Sequence, residues 1–157
     1  MSSARGRVNQ QIAWCHQLLT QFQSSELPWV RQVLVQSLGW HLQSAYVALL
    51  QELADAFKFP VNEPGCVEDL IRVVPSGRAV PAELGELSRL AAGESWLSNL
   101  LALPGPAATQ VSATGNQASG SVIATSGSPS FDMGQAQSAL FALQEFIDRN
   151  RQLSDES

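Results

Sequence analysis

Twenty consecutive residues, Gln32 to Gln51, carry no formal charge between Arg31 and Glu52. The run is long enough to span a bilayer, but Gln36, His41, Gln43 and Ser44 interrupt it, and each polar side chain raises the cost of entering hydrocarbon. Its periodicity points to a helix in water instead. At about 100° per residue, Leu34, Leu38, Leu42, Ala45, Leu49, Leu53 and Ala56 fall on one stripe, while Gln32, Gln36, Gln43, Ser44 and Asp55 fall largely opposite. Pro28 opens the element, since its missing N–H would be unpaired in a first turn anyway, and Pro60 closes it. A helix from Pro28 to Phe57 would be roughly 45 Å long. Shorter elements must then pack along it as a spine.

Upstream, Val8, Ile12, Cys15, Leu19 and Phe22 recur at steps of four, three, four and three, one face of a first helix that ends at Ser24-Ser25-Glu26-Leu27. Downstream, Asn62-Glu63-Pro64 reads as a cap with an early-turn proline, leading into a short helix with Val67, Leu70, Ile71 and Val74 inward. Pro81 starts another, with Leu84, Leu87, Leu90 and Ala91 inward and Gly93 as its stop. Ser95 caps one more turn or two, Trp96 to Leu103, and Asp132 caps a last helix reaching about Gln152, with Ala136, Leu140, Leu143 and Ile147 on one face. Strand-like alternation of useful length does not occur. The expected class is therefore all-α: one domain over residues 1–157, a helical bundle built on one long central helix. With 45% apolar residues the chain can fill such a core.

Pro104 to Phe131 contain no charge and are dominated by Ser, Gly, Ala, Thr and Pro. Such a tract cannot bury enough apolar surface to offset its ordering entropy, which predicts a flexible linker over 104–131. The helix over 132–152 has an apolar stripe that cannot stay in water, so it is expected to pack back on the bundle.

Met1 to Arg7 lead into an amphipathic stretch and not into the apolar core of a secretory signal, so the expected compartment is the cytoplasm. Fourteen Asp and Glu against nine Lys and Arg give a net charge of −5, and no three basic residues cluster. That balance repels phosphate backbones and anionic lipid, so the reading is no nucleic-acid partner and no membrane insertion.

Sites for chemistry are sparse. Metal binding would draw on Cys15, His16, His41, Glu52 and Cys66, but adjacent Cys15 and His16 point about 100° apart on a helix, and no E-x-x-H pairs a carboxylate with a histidine. The two cysteines, 51 positions apart and in no C-x-x-C pair, read as small core residues with free thiols. Cys66 follows Gly65 near a helix start, where a thiol pKa can fall, but Glu68 and Asp69 oppose that. Neither a nucleophile elbow nor a phosphate-binding glycine loop is present. The reading assigns no catalytic residue, no metal ligand and no cofactor.

Aromatic residues are more informative. Trp14 lies off the stripe of the first helix, and Trp40 lies on the glutamine-rich side of the spine, so both are candidates for a partner surface. The plainer reading of all four tryptophans, Trp14, Trp29, Trp40 and Trp96, is that they seal helix ends and inter-helix grooves. His41 and Tyr46 are the candidates for a pocket beside the spine.

Arg7-Val8-Asn9-Gln10-Gln11-Ile12, the spine segment Leu42-Gln43-Ser44-Ala45-Tyr46-Val47-Ala48-Leu49-Leu50-Gln51-Glu52-Leu53-Ala54, and Ser95-Trp96-Leu97-Ser98-Asn99-Leu100-Leu101 carry a resemblance. The chain resembles an uncharacterised helical family, a domain of unknown function, of pseudomonads and related gammaproteobacteria, over about residues 5 to 103 and the last helix. The resemblance implies a bacterial cytoplasmic protein and brings no site residues. The expected function is a non-enzymatic protein–protein interaction or regulatory role through helical faces. The alternative is a small-ligand binder or enzyme with its pocket at His41 and Tyr46.

Overall fold

The structure, a computed structural model, describes residues 3–104 and 131–156. Within them run six helices and no strand: α1 (Ala4–Ser24), α2 (Pro28–Ala56), α3 (Val67–Ile71), α4 (Ala82–Ala92), α5 (Trp96–Leu101) and α6 (Met133–Asp155). The fold is all-α. The predicted linker, 104–131, lies outside the described residues except for its two ends, Pro104 and Phe131.

Local chemistry sets most helix ends. Ser3 accepts from the Gly6 amide at the start of α1, Ser95 accepts from Leu97 and Ser98 at the start of α5, and Asp132 exchanges hydrogen bonds with Gln135 at the start of α6. Pro28 occupies the first turn of α2. One cap differs from expectation: α3 is opened by Cys66, with Asp69 reaching back to the Gly65 and Cys66 amides, and not by Asn62. Glu63 adopts a positive φ of 54°, which takes the Asn62-Glu63-Pro64 segment out of helical geometry.

α1 and α2 form an antiparallel hairpin, tied at Gln11–His41 near one end and Phe22–Arg31 near the other. α6 runs parallel to α2 and antiparallel to α1, as its contacts show: Phe131 lies beside Gly39, Gln144 bonds His16, and Arg151 bonds both Glu52 and Asn9. α3, α4 and α5 pack as a chain of short helices that close the remaining side of the spine.

Because α2 is covered from two directions, burial on it exceeds the single stripe that periodicity indicates. Leu42, Ala45, Tyr46, Ala48, Leu49, Leu50, Leu53 and Ala54 are all buried. Ala56, placed on that stripe by the sequence, is exposed in the last turn. Gly39 marks where α5 ends and α6 begins against the spine. A Cβ there would lie 2.9 Å from a Leu103 methyl and 3.4 Å from the Phe131 ring. Beside it, Gln43 turns its amide inward and donates to the Leu100 and Leu103 carbonyls at 2.9 Å each, satisfying carbonyls that the end of α5 leaves open.

Candidate functional site

The outward side of the α1–α2 hairpin carries four of the exposed large apolar side chains among the described residues, Trp14, Trp29, Val33 and Val47. On α2, Trp29, Val33, Gln36, Trp40, Ser44 and Val47 follow one another at helical steps of three and four, so they share one face. Trp29 is 67% exposed, Val33 51% and Val47 43%, and Trp14 of α1 flanks the same face at 43%. An open groove of about 1020 Å³ runs between the first half of α1 and the second half of α2, with Gln10, Gln11 and Trp14 on one wall and Ser44, Val47 and Gln51 on the other; Trp29 and Val33 lie outside it, nearer the start of α2. Asp55 and Glu63 line its far end.

Trp14 stands where its position off the apolar stripe put it, on the surface. Its indole meets the His41 ring edge-on at 5.4 Å between centroids. Trp40 is half-buried, and its indole N–H donates to the Pro104 carbonyl at 3.1 Å. This residue fastens the chain beyond α5 to the spine and leaves less of its ring for a partner than Trp29 does. Sequence reasoning left Trp29 with the sealing reading and did not single out Val33 or Val47. The signal was available: Trp29 precedes Trp40 by eleven residues, about 20° from three full turns, so both belong to one face.

The structure does not join His41 and Tyr46 into a pocket. His41 is held at the hairpin interface, with Nδ1 2.7 Å from Gln11 Oε1, and its partial burial lowers its pKa. Tyr46 is buried in the core among helices on the other side of α2, and burial, reinforced by Glu68 and Cys66, pushes its phenol above the usual range. Five residues separate the two on one helix, so their side chains point about 140° apart.

The cysteines also separate. Cys15 is buried, and desolvation pushes its thiol up to about 12. Cys66, expected in the core, is exposed, because it lies before α3 in extended backbone at the surface end of that turn. The Asp69 carboxylate beside it is lowered in pKa, first by the hydrogen bond from the Gly65 amide. Among the described residues, no three His, Cys, Asp or Glu side chains are grouped so as to hold a metal ion. No helix among them is long and apolar enough to cross a membrane.

Residues 1–157 match a family of unknown function, DUF6586, from end to end. The chain belongs to that family. No match was found among curated proteins or among solved structures. The match covers the whole chain, where the expected resemblance to an uncharacterised domain covered about residues 5 to 103 and the last helix. It attaches no chemistry to any residue, so the outward face of this DUF6586 chain stands on its geometry.

Proposed function

We propose that this protein is a non-enzymatic interaction module, and that the outward face of the α1–α2 hairpin receives an amphipathic helix of another protein. The observation that carries the reading is Trp29, two-thirds exposed on a regular helix with Val33 one turn away and half exposed. A tryptophan so placed buries a large apolar area on contact and is the residue type that most often anchors protein interfaces. Trp14 and Val47 continue the exposed apolar face into the groove that begins beyond Trp29 and Val33, and amide side chains rim that groove with donors and acceptors. A helix laid between two antiparallel helices fills such a groove with its i, i+3, i+4 and i+7 side chains.

Charge selects the partner. Asp55 and Glu63 outnumber Arg7 among the charged groups of the groove, and on a chain of net charge −5 they favour basic residues at the corresponding end of the incoming helix. The same balance disfavours nucleic acid. Our reading sets the protein in the cytoplasm of pseudomonads or related gammaproteobacteria, where its two free thiols stay reduced, and assigns it no cofactor.

Crosslinking and affinity capture from such a host tests this. One stoichiometric protein should be recovered with the native chain and lost with Trp29→Ala/Val33→Ala, while the variant keeps its melting temperature, because both side chains face solvent. Equal capture by the variant, or no stoichiometric partner, overturns the reading.

A further inference from the structure

The first turns of α2 overhang the bundle. α5 ends and α6 begins opposite Gly39, so among the described residues the azimuth that lies under these helices at Leu42 and Tyr46 is uncovered at Gln32 and Val35. The overhang leaves a groove of about 450 Å³ between α1, α2 and the facing ends of α5 and α6. Phe22, Val35, Trp40, Leu103, Phe131 and Met133 form its apolar walls. Small-molecule sites are of this kind, roughly 300–1000 Å³, mostly apolar, with few polar groups that fix orientation.

Arg31 supplies the polar group at the rim. Its guanidinium carbon lies 4.2 Å from the centroid of the Phe22 ring, and among the described residues it forms no ion pair or hydrogen bond. A cation resting on an aromatic face keeps its edge N–H groups directed outward, free to take an anion two at a time. The other charged group of the groove, Asp132, is already committed: Oδ1 accepts from the Gln135 amide at 2.8 Å, with Gln135 bonding back to Asp132 N at the positive end of α6. Trp40 has its indole N–H on Pro104. What remains for a ligand among the described residues is an open apolar trough bordered by the Arg31 cation, with the Gln32 and Gln36 amides beside it.

We propose that this overhang binds a medium-chain alkyl carboxylate, its chain against Val35, Leu103, Phe131 and Met133 and its carboxylate on Arg31. The groove shares Gln36 and Trp40 with the outward face but contains none of Trp14, Trp29, Val33 and Val47, so Arg31→Gln tests it without altering the anchors of the protein-binding reading.

Isothermal titration calorimetry of the full chain with decanoate, kept below its micelle concentration, tests it. Saturable one-to-one binding is expected, weakened at least tenfold by Arg31→Gln, whose melting curve is read alongside because the change also gives up the contact with Phe22. Uncharged 1-decanol should bind more weakly than decanoate and be indifferent to Arg31→Gln. Val35→Trp, which fills the trough, should abolish binding of both, with the melting curve confirming a folded protein. Absence of saturable decanoate binding, an unchanged affinity in Arg31→Gln, or full binding by folded Val35→Trp overturns the proposal.

Discussion

Arg151 and Glu52 meet fork to fork: Nε and Nη2 of the guanidinium each lie 2.9 Å from a different oxygen of the carboxylate, across 99 positions of sequence. The third nitrogen, Nη1, donates to Asn9 Oδ1 at 2.8 Å. One side chain of α6 thereby fastens the spine and the first helix together. Both charged side chains are less than a fifth exposed, so solvent screens the pair little.

Removing either partner leaves the other charge largely buried and without its ion pair. Arg151→Ala is expected to cost about 2 kcal/mol, between the values of exposed and fully buried pairs. Arg151→Lys should recover only part of it, because an ammonium cannot reproduce the two parallel bonds. Urea unfolding reads both, and a cost near zero for Arg151→Ala would show that the pair is dispensable.

Ending the chain at Ser130 removes Leu140, Leu143, Phe146 and Ile147, all buried, together with the Arg149–Glu86 link to α4. At about 1.5–3 kcal/mol for each large apolar side chain, the loss is roughly 6–12 kcal/mol. That rivals the whole stability of an ordinary domain, about 5–15 kcal/mol. The truncated chain should lose cooperative thermal unfolding, and adding the peptide 132–152 should restore it. An unchanged melting temperature after truncation would show that α6 is not part of the core.

Cys15 makes stability depend on alkaline pH. Its thiol stands near 9.0 when unfolded and about 12 when buried, so between these values the folded state holds a proton that the unfolded state has lost. The stabilisation is complete below pH 9 and falls as pH rises toward 12, by up to about 1.4 kcal/mol per pH unit. Comparing the native chain with Cys15→Ala by urea unfolding at pH 8, 9 and 10 isolates the effect, and the slope should be shallower in the variant. In the native protein at pH 8, a thiol reagent should label exposed Cys66 and leave Cys15 unmodified. Parallel slopes, or equal labelling, would contradict the burial of Cys15.

Much of the fold is legible along the chain, because its signals are local. Pro28, Ser95 and Asp132 mark helix starts through their own backbone and side-chain bonding, and Leu140, Leu143 and Ile147 declare an inward face by spacing. The site is less so. Trp14 is exposed as its position off the stripe implies, but Trp29 is more exposed than either tryptophan the spacing selected, and the pocket expected at His41 and Tyr46 is not made.

Residue spacing by itself determined that the chain is helical, where its helices run and which side of each is apolar, since 3.6 residues per turn is a property of the backbone. Tertiary structure decided how far each helix covers its neighbour. α5 and α6 meet the spine at Gly39 and reach no further toward its start, so Leu42 is buried while Arg31, about 20° from it in azimuth, remains exposed. It also decided that Gln43 turns inward to the open carbonyls of α5 and that Arg151 finds Glu52. Those pairings join residues scores of positions apart, and no local period encodes where two helices cross.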